Sequence, residues 1–148
     1  MGEPLIRAVR AADREAWANL WSAYLAFYKS ELGAEVYDST FSRLLSDDPW
    51  SPFGLVAELD GELVGLVHYL YHSTCWKVER VCYLQDLYAM PDVRGTGIGR
   101  ALIEAVYDRA DRDGAPTVYW TTEHHNAEAR LLYDRIGVLT DFIRYDRT

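Results

Sequence analysis

Tyr83-Leu84-Gln85-Asp86-Leu87-Tyr88-Ala89-Met90-Pro91-Asp92-Val93-Arg94-Gly95-Thr96-Gly97-Ile98-Gly99-Arg100-Ala101-Leu102 contains the change of period that decides the fold. The stretch Arg80–Ala89 is rich in β-formers and reads as a strand, which Met90-Pro91 ends because proline has no N–H for a ladder. Gly95, Gly97 and Gly99 follow in alternation. From Ile98 the stripe runs in steps of three and four through Ala101, Leu102, Ala105, Val106 and Arg109, the pattern of a helix, which Gly114-Ala115-Pro116 terminates. A strand therefore enters a helix through a glycine loop. Backbone N–H groups and the positive helix end converge at such a junction, which suits a phosphate. Glycines also permit a plain tight turn, so the loop alone leaves both readings open. Its pattern, Arg-x-x-Gly-x-Gly, lacks both the G-x-G-x-x-G spacing and the Lys-Ser/Thr pair of other nucleotide loops.

Working outward toward the N-terminus, Leu5-Ile6-Arg7-Ala8-Val9 reads as a strand, and Asp13 stands where a helix N-cap belongs. Trp17, Leu20, Trp21, Tyr24, Leu25 and Tyr28 give that helix a broad aromatic face, with Gly33 expected to end it. A shorter helix is expected over Ser39–Leu45, capped by Ser39 or Thr40 and closed by Asp47-Asp48-Pro49. Phe53–Glu58 and Glu62–Tyr71 form an antiparallel hairpin around Leu59-Asp60-Gly61, whose Asp-Gly pair tolerates positive φ. Toward the C-terminus, Thr117–Thr122 reads as a strand. Asn126 then caps a helix with a stripe of Ala129, Leu132, Tyr133 and Ile136, ending at Gly137, and Thr140–Tyr145 reads as a final strand. The order is β-α-α-β-β-β-α-β-α-β, an α/β sandwich on a mixed sheet.

The 148 residues and 49% hydrophobic content fit one domain over residues 1–148 with a sizeable core. No run reaches the roughly 18–20 apolar residues of a membrane span, and no signal-peptide pattern opens the chain, so a soluble, cytoplasmic protein with no membrane partner is expected. Net charge is −8 and the lysines are Lys29 and Lys77 alone, which argues against a nucleic-acid partner and favours a cationic one. Eleven tyrosines and five tryptophans either line an amine pocket through cation–π contact or fill the core. Cys75 and Cys82 have no second pair for a zinc site or disulfide framework and read as free thiols. No metal is expected, since His68 and His72, four apart on a strand, stand about 13 Å from each other.

Two separated motifs carry a resemblance to a known family. Tyr83–Pro91 followed by Val93–Leu102, and Trp120-Thr121-Thr122-Glu123 through Asn126–Tyr133, resemble the acetyl-CoA-binding and catalytic motifs of the GNAT superfamily of N-acetyltransferases. With the element order, the likeness covers nearly the whole chain. The stretches His72–Trp76 and Gly137–Tyr145 are most similar to the branch containing diamine acetyltransferases and the small yeast histone and D-amino-acid acetyltransferases. The resemblance implies a mixed, mainly antiparallel sheet of about six or seven strands, flanked by about four helices. It implies acetyl-CoA as co-substrate, transfer to a primary amine of a small molecule such as a polyamine, diamine or amino acid, and a homodimer paired through terminal strands. Protein-lysine, histone or N-terminal acetylation is the nearest rival. A non-catalytic acyl-CoA sensor would keep the glycine loop but should lack a proton donor.

Carried over by position, the resemblance implies that the backbone of Leu87, Tyr88 and Ala89 pairs with the pantetheine arm like an added strand. The loop Arg94-Gly95-Thr96-Gly97-Ile98-Gly99-Arg100-Ala101 would take the pyrophosphate, with the Arg94 side chain on phosphate or holding the loop's shape. Asn126 would bond the pantetheine, or serve only as an N-cap. A primary amine with a reference pKa near 10.4 costs roughly 4 kcal/mol to deprotonate at neutral pH, so a base or relay is required. The departing thiolate needs a proton donor, and Tyr133, about two helical turns after Asn126 on the same face, fits that role. Gln85 stands where diamine-acetylating relatives carry an acid, and an amide does not accept a proton usefully. Glu123 is the preferred base, with Asp86, His124 or His125 at the end of a water chain as alternatives. Alternation turns Gln85 toward the cofactor side with Leu87 and Ala89, and Asp86 to the other side. Tyr28, Gln85 and Asp86 are the candidate substrate contacts, within an amine-binding wall of Tyr24, Phe27, Tyr28, Glu31 and Glu35.

Overall fold

A computed structural model describes residues 2–148. Its elements are β1 (Leu5–Ala8), α1 (Arg14–Phe27), α2 (Ala34–Leu44), β2 (Phe53–Leu59), β3 (Glu62–His72), β4 (Val81–Ala89), α3 (Ile98–Arg112), β5 (Val118–Tyr119) and α4 (Ala127–Ile136). The strands lie in the order β1-β2-β3-β4-β5, antiparallel through β4, with β5 parallel to β4. This is the expected α/β class with a mixed, mainly antiparallel sheet. Among the described residues no helix is long and apolar enough to cross a membrane.

Each face of the sheet buries one helical layer. Trp17, Leu20 and Trp21 of α1, with Phe41 and Leu44 of α2, pack against Val56, Leu66 and Tyr88. On the other face Ile98, Leu102, Ile103 and Val106 of α3 pack against Leu55, Val67, Tyr69 and Leu84. Leu102, Ile103 and Val106 are solvent-free, and burial of such side chains stabilises the fold by roughly 1.5–3 kcal/mol each. The α3 stripe is therefore what anchors the glycine loop at its N-terminus to the sheet.

Several boundaries differ from expectation for identifiable reasons. The first helix stops at Phe27, short of Gly33, because Lys29 takes a left-handed conformation at φ 56°. Ser30 N–H then reaches back to Leu25 O at 2.8 Å and Lys29 N–H to Ala26 O at 2.9 Å, closing a Schellman motif without glycine. Gly33 instead opens α2, its carbonyl accepting from Val36 and Tyr37, so Ser39 and Thr40 lie inside that helix. Asp13 sits at the start of α1, but its carboxylate is drawn back to Arg7 (2.8 and 2.9 Å) and to the Arg10 N–H (2.8 Å), and makes no cap bond to the helix.

The largest correction concerns the end of the sheet. The strand expected over Thr117–Thr122 shrinks to two residues, and Thr140–Tyr145 joins no ladder, so the sheet has five strands where about six or seven were expected. Phe142, Ile143 and Tyr145 of that segment are 85%, 77% and 88% exposed. An apolar pattern specifies a strand only where an edge is present to complete its hydrogen bonds, and the single chain offers this segment none that it uses.

Candidate active site

Pairing between β4 and β5 ends at Tyr83 and Tyr119. Beyond that point Leu84–Ala89 keeps β3 on one edge, and its other edge faces a cleft of about 410 Å³. Leu87, Tyr88 and Ala89 form one wall, and Asn126 with Ala129, Leu132 and Tyr133 of α4 forms the opposite one. The glycine loop closes one end, while Tyr24 and Phe27 of α1, with Tyr28 just after it, close the other. A splayed parallel pair thus leaves strand edge open to an extended ligand.

At the loop, Gly95 and Gly97 have φ of 81° and 92°, a conformation that L side chains rarely adopt, and Gly97 is the N-cap of α3. Nothing lies within 4 Å of where a Cβ on either would project, so the loop's outer face is open. The Thr96 hydroxyl bonds to the Val93 carbonyl, which folds the loop under itself. The first N–H groups of a helix have no intrahelical acceptor and lie at its positive end. Such a terminus has the polarity that suits an anion. Arg94 lines the cleft as well; its Nε donates to Ala89 O at 3.1 Å and its guanidinium lies 5.6 Å from the Tyr88 ring centre. Arg100 is engaged on the surface with Glu104 at 2.6 Å.

The opposite end is a cluster of phenols. Burial first, and the neighbouring Tyr28 second, push the Tyr133 pKa up to about 12, so this hydroxyl keeps its proton through neutral pH. Tyr28 is raised by burial and then by the Glu123 charge, and Tyr24 by burial and then by Asp86. Asn126 makes no side-chain cap; its Nδ2 donates to Thr122 Oγ1 at 3.3 Å, so capping does not account for the side chain. Tyr133 and Asn126 share the α4 wall, as their spacing predicts.

The carboxylates are distributed unevenly. Glu123 is half exposed on the loop before α4, with His125 Nε2 3.9 Å away, and His124 is held through its carbonyl by Arg130 at 2.8 Å. Glu31 and Glu35 do not line the cleft. Gln85 is exposed and is the extra residue of a β-bulge, because His68 faces Asp86 while Tyr69 faces Leu84. Asp86 lies on the α1 side of the sheet, opposite Leu87 as alternation predicts, with Oδ2 2.8 Å from His68 Nδ1. Sequence reasoning considered His68 only as a metal ligand and missed this pairing. The signal lay in the register between two strands, which no local spacing reports.

A helix N-terminus suited to an anion, an open strand edge and a half-buried phenol line one cleft, the arrangement of a coenzyme A-dependent acyltransferase. Residues 14–138 match the acetyltransferase (GNAT) family. Over 147 residues the chain is 42% identical to the D-amino-acid N-acetyltransferase HPA3 of Saccharomyces cerevisiae, covering 97% of this chain and 89% of that one. It is 34% identical over 145 residues to the uncharacterized N-acetyltransferase YhfO of Bacillus subtilis, covering 95% and 94%. The solved structure of AAC(6')-Iy in complex with the bisubstrate analogue CoA-S-monomethyl-acetylneamine shares the fold, with a TM-score of 0.84 over 99% of each chain at 16% identity. The chain belongs to the GNAT acetyltransferase family and is an acetyl-CoA-dependent N-acetyltransferase.

Proposed function

We propose that this enzyme acetylates a primary amine on a small molecule, with amino acids as the foremost acceptor class. The observation that carries this reading is the cleft between β4 and α4, with the glycine loop at one end and the Tyr133 phenol among Tyr24 and Tyr28 at the other. The 42% identity to a D-amino-acid N-acetyltransferase supports the choice of acceptor. Leu87, Tyr88, Ala89 and Asn126 hold the pantetheine arm, and residues Arg94 to Ala101 hold the pyrophosphate. Bound there, acetyl-CoA supplies an activated acetyl group: the acceptor nitrogen bonds to the acetyl carbon, the carbon–sulfur bond breaks, and a thiolate departs. Tyr133 donates its phenolic proton to that sulfur. The ammonium form of the acceptor surrenders two protons in all, one replacing the proton that Tyr133 gave and one passing to water. In this reading Asp86 and Glu123, which lie outside the cleft lining, receive them through water, while Tyr28 and Gln85 border the acceptor.

The direct test is CoA release measured across D- and L-amino acids, polyamines, aminoglycosides and histone-tail peptides. The reading expects turnover with free amino acids or polyamines. Turnover confined to the peptides would replace it with a protein acetyltransferase, and acetyl-CoA binding without turnover on any amine would replace it with a sensor.

The working form in this reading is a homodimer. Val138, Leu139, Phe142, Ile143 and Tyr145 form an exposed apolar arm directly after α4, and no residue of α4 is fully buried although that helix forms a wall of the cleft. An exchanged arm from a second copy would both complete the sheet beyond β5 and support that wall.

A further inference from the structure

Behind the acceptor end of the cleft runs a buried hydrogen-bonded chain. His68 on β3 faces Asp86 on β4, and the bulge at Gln85 sets the geometry. Because the bulge inserts one residue, Leu84 packs into the α3 layer whereas Asp86 and Tyr88 turn toward α1. His68 is 3% exposed; its Nδ1 is 2.8 Å from Asp86 Oδ2 and its Nε2 is 2.9 Å from the Nε1 of Trp17, which is solvent-free. An indole N–H only donates, so Nε2 of His68 must accept and Nδ1 must carry the hydrogen that goes to Asp86. Trp17 thereby dictates the histidine tautomer.

The chain does not end in the core. The Asp86 side chain retains 15% exposure, and Tyr24, two helical turns beyond Trp17 on α1, lines the cleft close enough for the charge of the same carboxylate, after burial, to raise the pKa of its phenol. His68 holds one carboxylate oxygen of Asp86 and so fixes the orientation of that side chain.

We propose that Trp17 and His68 are positioning residues for the acceptor: they hold Asp86, beside the cleft-lining Tyr24, in the orientation that offers its carboxylate to the acceptor's ammonium group. This rests on the amine acetylation proposed above. Neither residue touches the substrate; each acts through Asp86.

The test compares wild type with His68→Leu, His68→Asn, His68→Gln and Trp17→Phe in the full chain, with D-phenylalanine as acceptor and acetyl-CoA binding followed by calorimetry. His68→Leu is expected to raise the acceptor KM about tenfold and lower kcat, with the acetyl-CoA Kd within about twofold. The asparagine amide nitrogen can occupy the place of Nδ1, so His68→Asn restores KM to within about threefold of wild type, whereas the glutamine amide takes the place of Nε2 and does not. Ring ¹⁵N–¹H correlation spectra are expected to show the Nδ1–H tautomer in wild type and a mixture in Trp17→Phe. An Nε2–H tautomer in wild type overturns the proposal, as does a folded His68→Leu with unchanged KM and kcat. Should His68→Leu not fold, the wild-type and Trp17→Phe spectra, with the acceptor KM of Trp17→Phe, decide. A wild type that binds acetyl-CoA and acetylates no amine refutes the underlying reading instead, whereas an active wild type with unresponsive His68 variants refutes only this inference.

Discussion

Tyr83 stacks on Tyr119 with 4.9 Å between ring centres, and the same two residues form the last paired position between β4 and β5. The stack closes the vertex from which the cleft opens. Tyr119 is held from a second side by His72, whose Nε2 lies 2.7 Å from its hydroxyl. Replacing Tyr119 with alanine removes an aromatic pair and a hydrogen bond, so a loss of about 1–2 kcal/mol is expected. Urea denaturation measures it. A loss within about 0.3 kcal/mol would show that β5 stays docked without the stack.

Tyr133→Phe keeps the ring and its 5.5 Å packing on Trp120 and removes only the hydroxyl. The expected result is a fall in kcat of about 10²-fold or more, with the acetyl-CoA Kd changed less than about twofold. Because the Tyr133 pKa is raised to about 12 by burial, loss of its proton should not limit wild-type kcat below about pH 10. Unchanged turnover in the variant would remove Tyr133 from the mechanism.

Gly97→Val tests the pyrophosphate cradle. The φ of 92° costs a β-branched residue on the order of 1–2 kcal/mol, although no atom lies where the Cβ would go. The helix behind the loop is anchored by its own buried stripe, so the far-ultraviolet spectrum should survive while acetyl-CoA affinity falls more than about tenfold. Normal affinity, measured by calorimetry, would mean that the cofactor phosphates sit elsewhere.

Removal of residues 138–148 should convert a dimer into a monomer, as read by light scattering on a sizing column. The deleted segment contains the exposed Val138, Leu139, Phe142, Ile143 and Tyr145. Identical masses per particle for the intact and shortened chains, corrected for length, would rule the arm out as the dimer contact.

Alkaline pH should destabilise the fold through Cys82. Burial, and then the Asp113 charge, raise this thiol from 9.0 to about 12. Below about pH 9 both states keep the proton and the thiol adds no pH dependence. Between pH 9 and 12 the unfolded chain loses a proton that the native thiol retains, so stability falls as pH rises. The limit is about 4 kcal/mol for about three units. Tyr69 and Tyr133, also raised to about 12, add to the fall above pH 10. Urea midpoints at pH 8 and 11 should differ less in Cys82→Ala than in wild type; equal slopes would mean the native thiol ionises as freely as the unfolded one.

What the sequence by itself determined is local. Proline at 91, the glycines at 95 and 97 and the three-four stripe from Ile98 specify a strand, a cradle and a helix through backbone chemistry alone, and the Asn126–Tyr133 spacing puts two residues on one helical face. That was enough to make the proposed cofactor half of the site legible, because it is built from contiguous backbone. The proposed acceptor half was not. Its arrangement depends on the bulge at Gln85, which sets Asp86 across from His68, and on the packing of α1 that brings Trp17 to the far nitrogen of His68 from fifty-one positions away. Cross-strand register and helix packing are sums over many distant contacts, so no single spacing encodes them. The same reason explains Thr140–Tyr145: alternation predicts a strand, but whether it pairs depends on an edge, and edges belong to tertiary structure.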